Sequence, residues 1–174
     1  MYKKSAKPMI TAQQIQARIN ELAAAIEREY ELDVILSALT GAFMFTTDLC
    51  RAMANPRHRI AFIMASSYGS GTESSGKLKV SGIEHVDLHG KRVLLVDDIL
   101  DTGHTLRTLV PMLQDAGATE VRTCVLMNKE ARRTVAYHAD YVGFEIANEF
   151  VVGYGLDFDQ DYRTLPDIWT LEEA

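Results

Sequence analysis

The sequence predicts an α/β domain with a mostly parallel, twisted central sheet flanked by helices. Three observations predict it. Short apolar runs, VILSAL (34–39), RIAFIMA (59–65), KRVLLV (91–96) and VRTCVLM (121–127), are interleaved with helical patterns. Most of these runs are continuously apolar rather than alternating, as strands covered on both faces must be. The chain has 174 residues and is 47% hydrophobic, enough for one domain to bury its core without disulfides.

The elements follow in order. Thr11 and Gln14 have the spacing of a capping box, and Ile15, Ile19, Leu22, Ile26 and Tyr30 recur every three or four residues, which predicts an amphipathic helix over about 11–30. VILSAL reads as a buried strand, Gly41 as the turn after it, and FMFTTDLCRAMA as the next helix. RIAFIMA is a second strand. In the stretch 66–77, SSYGSGTESSGK, no periodicity survives; such a polar segment is either a solvated connector or an active-site lid. KLKVSGI and KRVLLV supply two strands, and HTLRTLVPMLQDAGA a helix ended by Gly117 and expected to bend at Pro111. VRTCVLM and DYVGFEI complete the strands. There is no internal repeat and no low-complexity segment.

Composition narrows the function classes. The formal charge is −6 and no basic run occurs, so the electrostatic footprint of a nucleic-acid binder is missing. Cys50 and Cys124 lie far apart without CxxC spacing, and both are expected to be free thiols rather than a zinc or disulfide framework. MYKKSAKPMI leads into a polar helical pattern where a secretory signal would need an apolar stretch, and no apolar run is long enough for a membrane span. The expectation is a soluble, cytoplasmic protein.

The chemistry concentrates in VLLVDDILDTGHTL, 93–106. If 93–96 form a central strand, Asp97 and Asp98 stand at its carboxyl end, where ligands of parallel sheets bind. Two adjacent buried carboxylates are costly without partners. Vicinal sugar hydroxyls, Mg²⁺, or both would provide them, the bland alternative being a cluster that only caps a helix. Next, DTGHT places small residues where backbone N–H groups open a helix, a ready site for a phosphate. GxxxxGK[ST] and GxGxxG are both absent, which excludes the triphosphate and dinucleotide fingerprints. Together these features read as a ribose 5-phosphate recognition element.

That stretch resembles the 5-phosphoribosyl-1-pyrophosphate motif of type I phosphoribosyltransferases. ALTGAFMFTTDLCRAM (38–53), ASSYGSG (65–71) and VGFEIANEFVVGYGLDFDQDYRTLP (142–166) are similar to the hypoxanthine-guanine members, and the resemblance runs from about 32 to 166. It implies the type I phosphoribosyltransferase fold in a single domain, 1–174, with a core of about 32–145 and a small hood from about 1–20 and 146–174. The reaction it implies displaces pyrophosphate from 5-phosphoribosyl-1-pyrophosphate with hypoxanthine or guanine, giving IMP or GMP, with Mg²⁺ as cofactor.

By the same resemblance, Asp97 and Asp98 hold the ribose hydroxyls and reach the metal, and Asp101 is the general base facing purine nitrogen 7. Asp101, Thr102, Gly103, His104 and Thr105 form the 5-phosphate loop, with His104 a bystander side chain. Thr40, Gly41, Arg133 and Arg163 bind pyrophosphate; Thr40 stands where many members carry lysine, which implies weaker pyrophosphate capture. Lys129 donates to the 6-oxygen, Phe150 stacks on the purine, Val151 contacts its edge by backbone, and Asp157 serves the 2-position and a second metal. Ser67 and Tyr68 belong to a loop that closes over the sugar, with 69–77 expected to be mobile without substrate. A homodimer or homotetramer is implied. The alternatives are a transferase for xanthine or another oxopurine and, from another class, a ligand-sensing regulator that has kept the phosphoribosyl site.

Overall fold

The structure, a computed structural model, describes residues 2–67 and 78–173. A six-stranded sheet is built from β2 (Val34–Leu39), β3 (Arg59–Ser67), β4 (Leu78–Ser81), β5 (Arg92–Leu100), β6 (Glu120–Asn128) and β7 (Tyr141–Glu145). Its order is β4-β3-β2-β5-β6-β7, parallel throughout except for β4, which runs antiparallel to β3. Three α-helices, α1 (Ala12–Glu29), α2 (Phe43–Ala52) and α3 (His104–Asp115), are present among the described residues. None of the described helices is long and apolar enough to cross a membrane.

The apolar run of β5 is explained by its place in the middle of the sheet. Leu94 and Val96 pack with Ile15, Ile19 and Phe45 of α1 and α2, while Val93 and Leu95 pack with Leu106, Leu109 and Leu113 of α3. Side chains of a strand alternate between faces, so two covered faces demand an apolar residue at every position. All four β5 residues are fully buried.

Helix α1 starts with the predicted capping box, Thr11 and Gln14 satisfying each other's backbone N–H groups. Helix α3 runs through Pro111 without a break and ends two residues before Gly117, whose φ is +105°. A mid-helix proline costs about 3 kcal/mol. Each of the three buried leucines of α3 contributes about 1.5–3 kcal/mol, so packing holds the helix where local preference would interrupt it.

The chain termini form a second, antiparallel sheet. Its strands β1 (Tyr2–Lys4), β8 (Val151–Val152) and β9 (Trp169–Glu173) lie in the order β1-β9-β8, and an isolated bridge joins Ile10 to Ile168. Residues 12–20, expected in the hood, belong instead to α1 on the large sheet, where Arg18 donates to the carbonyls of Val142 and Gly143 at 2.8 Å each. The apolar positions of those residues, Ile15 and Ile19, are fully buried, so that segment is needed to cover the sheet.

The topology opens one crevice. From β2 the chain moves outward to β3, and from β5 it moves to β6 on the other side. The loops after β2 and β5 therefore diverge, and a cavity at their carboxyl ends is the geometric result.

Candidate active site

A cavity of about 300 Å³ fills that crevice, lined by Thr40, Gly41, Asp97, Asp98, Thr102 and Arg163 among others. Asp97 is only 8% exposed. Its Oδ1 accepts the N–H of Asp98 at 3.0 Å, and Asp98 Oδ1 accepts the N–H of Ile99 at 2.7 Å. Among the described residues neither carboxylate joins an ion pair. Burial, then the charge of Asp98, raises the Asp97 carboxyl well above its ordinary range. Asp98 is also raised, chiefly by burial, with Arg163 pulling the other way. The protein thus keeps two adjacent acids desolvated, and ligands that donate hydrogen bonds or carry positive charge relieve them.

Opposite the acids, the peptide Leu39–Thr40 is cis, and Gly41 lies against Asp98. A Cβ on Gly41 would stand 1.7 Å from Asp98 Oδ2, so any other residue there would displace the Asp98 carboxylate. Gly155 closes over the same turn; a Cβ there would be 2.2 Å from the Gly41 carbonyl oxygen. The hood strap around 153–156 is thereby seated on the turn after β2.

The bend 101–103 leads into α3. Gly103 has φ +91° and no side chain caps the helix start; His104 N reaches Thr102 Oγ1 only at 3.5 Å. The first amides of α3 therefore present an anion site together with the Thr102 and Thr105 hydroxyls.

Arg133 supports this bend from behind. Its guanidinium donates to the carbonyls of Asp101 (3.0 Å) and Leu100 (3.3 Å), to Asn128 Oδ1 (2.5 Å) and to the Tyr137 carbonyl. Its Cδ would lie 2.9 Å from a Cβ at Gly103. The expectation that Arg133 binds pyrophosphate is corrected: its N–H donors are occupied by the carbonyls of Leu100, Asp101 and Tyr137 and by Asn128 Oδ1, and Arg133 does not line the crevice.

A second cavity, of about 190 Å³, adjoins the first and is lined by Ile99, Asp101, Lys129, Arg132, Phe150 and Asp157 among others. Lys129 follows β6, anchored by its N–H to the Leu100 carbonyl at 2.9 Å. Its residue is 5% exposed. Burial pulls the ammonium below its ordinary range, and the Asp101 charge opposes that. Phe150 is half exposed, its ring meeting Phe158 edge-on at 5.7 Å. Val151 is buried in β8. Asp157 lines both cavities and pairs with Arg163 at 3.0 Å, while Arg163 also donates to the Gly155 carbonyl at 2.8 Å.

The crevice and its neighbour bring together Thr40, Gly41, Asp97, Asp98, the 101–105 bend, Lys129, Phe150, Val151, Asp157 and Arg163. His104 is exposed at the start of α3. Ser67 ends β3, and Tyr68 with 69–77 lies outside the described residues. Sequence reasoning missed Arg132, which faces the second cavity. Its spacing of three from Lys129 was the available signal. Among the described residues no three His, Cys, Asp or Glu side chains gather as a metal cage. Any metal in the crevice would then take most of its ligands from water and from a bound phosphate compound.

Residues 9–159 match the family model described as the phosphoribosyl transferase domain. The chain is 40% identical over 173 residues to the hypoxanthine-guanine phosphoribosyltransferase of Aquifex aeolicus, covering 98% of this chain and 97% of that one. Among solved structures, a hypoxanthine phosphoribosyltransferase of Staphylococcus aureus superposes with a TM-score of 0.89 at 36% identity, over 96% of this chain and 91% of that one. The Trypanosoma cruzi hypoxanthine phosphoribosyl transferase gives 0.90 at 40% identity, over 99% and 94%.

Proposed function

The chain belongs to the hypoxanthine-guanine phosphoribosyltransferases, within the phosphoribosyl transferase domain family, and from that premise we propose how its residues divide the work of purine salvage. The observation that carries the division is the side-by-side placement of two buried acids outside any ion pair, an uncapped helix start and a second cavity where Phe150 and Ile99 meet one buried lysine. The 101–105 bend takes the 5-phosphate of 5-phosphoribosyl-1-pyrophosphate through backbone amides. Asp97 and Asp98 accept the two ribose hydroxyls, which returns hydrogen bonds to carboxyls that burial has deprived of water. Phe150 and Ile99 sandwich the purine.

Lys129 donates to the 6-oxygen of hypoxanthine or guanine. Buried beside Asp101, it rewards a carbonyl acceptor and leaves the 6-amino group of adenine facing another donor, which a desolvated site rejects strongly. Asp101 removes the proton from purine nitrogen 7 as the new glycosidic bond forms, so no charge accumulates on the base. Arg163, Thr40 and the Gly41 amide hold the departing pyrophosphate, and Asp157 keeps Arg163 directed at it.

Asp97 and Asp98 fit a divalent cation, since their raised carboxyls have no cationic partner within ion-pair range. Mg²⁺ bound there would neutralise the pyrophosphate oxygens. Hood and core act as one domain, supported by the shared packing of Ile10, Val151 and Ile168 with α1 and β5.

The partner is a second copy of this chain. Ile60, Phe62 and Met64 stand on one face of β3, 44–51% exposed. Such a contiguous apolar face is what a homodimer covers. The reading places the enzyme in the cytoplasm with its phosphorylated substrates.

A spectrophotometric assay of the purified protein with 5-phosphoribosyl-1-pyrophosphate and Mg²⁺ tests the substrate assignment. Turnover with hypoxanthine or guanine, and none with adenine, is expected. A folded protein inert with both 6-oxopurines would overturn it.

A further inference from the structure

We propose that Arg132 is a positioning residue for Asp101: its guanidinium holds one carboxylate oxygen so that the other is presented to the purine proton. The inference rests on the reading of Asp101 as general base. Arg132 Nε lies 3.4 Å from Asp101 Oδ1, the only ion pair Asp101 makes among the described residues. That oxygen is buried and has no hydrogen bond. Nothing else in the described residues fixes the rotation of the carboxylate.

The arrangement follows from local geometry. Glu130–Arg132 form a single 3₁₀ turn, with the N–H of Arg132 donating to the Lys129 carbonyl at 3.3 Å. The turn begins at its N-cap Lys129, so Lys129 and Arg132 both line the second cavity beside Asp101, while Arg133 turns away to brace the bend. Adjacent arginines thus have separate tasks: one holds the backbone of the phosphate loop, the other the side chain of its first residue.

In the transfer step, purine nitrogen 9 bonds to the anomeric carbon as the carbon–oxygen bond to pyrophosphate breaks, the electron pair leaving with pyrophosphate. The proton on nitrogen 7 passes to the free oxygen of Asp101. A monodentate pair suits this step, because a bidentate one would occupy both oxygens. Arg132 is half exposed, with 51% of its side chain accessible, so solvent screens the pair and the effect is moderate.

The test compares Arg132→Gln, Arg132→Lys, Asp101→Asn and the double variant Asp101→Asn/Arg132→Gln by steady-state kinetics with hypoxanthine, and by calorimetry with IMP. Arg132→Gln should lower kcat about threefold to fivefold, leaving KM for hypoxanthine and IMP affinity within about twofold, and Arg132→Lys should recover part of the loss. The double variant should be no slower than Asp101→Asn alone, because the arginine acts only through that carboxylate. Wild-type kcat in Arg132→Gln alongside a crippled Asp101→Asn would overturn the inference and leave the base assignment standing. Losses that multiply in the double variant, or a rise in KM with kcat intact, would also overturn it, since Arg132 would then act on a substrate directly. Wild-type turnover in Asp101→Asn would remove the base assignment and the inference with it.

Discussion

The two ends of β5 treat charge in opposite ways. At its start, Arg92 bonds Asp33 through its backbone N–H (2.9 Å) and Nε (3.2 Å) and reaches Glu31 at 2.8 Å. The Asp33 carboxyl is held below its ordinary range by those hydrogen bonds. At the other end Asp97 and Asp98 sit side by side, raised by burial. The cavity at the Arg92 end is the larger, about 460 Å³ against about 300 Å³ in the crevice. Size alone would point to the wrong end. What separates them is satisfaction: charges that serve the fold come paired, and charges kept for a ligand come unpaired at a cost to the free protein.

The largest expected effect tests that cost directly. Asp97→Asn should reduce kcat/KM for 5-phosphoribosyl-1-pyrophosphate about tenfold to a hundredfold, the range for a lost hydrogen bond to a charged group. The same substitution should raise the melting temperature of the free protein. Steady-state kinetics and thermal melts read the two changes, and a variant that loses both activity and stability would break the contrast between the ends.

A smaller effect lies in the pH dependence of stability. Asp97 and Asp98 have folded-state values above the ordinary 3.8, so their contribution is fully present below that value and lost as pH rises through the raised range. Asp33 is lowered; its contribution is present above 3.8 and lost as pH falls through the lowered value. Free protein titrated down from neutral pH should therefore gain melting temperature as the crevice acids take up protons, and lose it again at lower pH as Asp33 is protonated. Stability that drops steadily from neutrality would mean the crevice acids are not raised in the folded protein.

The smallest effect belongs to the paired end. Asp33→Asn should lower the melting temperature by a few degrees and leave the kinetics with hypoxanthine unchanged. A clear loss of turnover would show that the two ends are coupled.

The acid and bend side of the crevice was legible in sequence because its parts are contiguous, the end of β5, the acids, the bend and the start of α3 falling within 93–106, whereas Thr40, Gly41, Asp157 and Arg163 come from distant segments. The second cavity was harder, being assembled from 98–101, 129–132 and 150–157. The two neighbouring arginines show why. Sequence places both next to Lys129, but only the 3₁₀ turn decides that Arg132 faces the cavity and Arg133 the bend. The hood was harder still, because Tyr2 pairs with Glu173 from the opposite end of the chain, and no local pattern encodes such a pairing. The helix α3 continues past Pro111 because its buried leucines hold it, and that burial is set by the sheet rather than by local preference.

The most direct measurement is a crystal structure of the protein soaked with GMP. The phosphate should lie against the amides of 101–105, the ribose hydroxyls on Asp97 and Asp98, and the guanine 6-oxygen on Lys129 with Phe150 across the ring. A nucleotide bound elsewhere, or a bend without a phosphoryl group while the base occupies another surface, would contradict the assignment of the crevice.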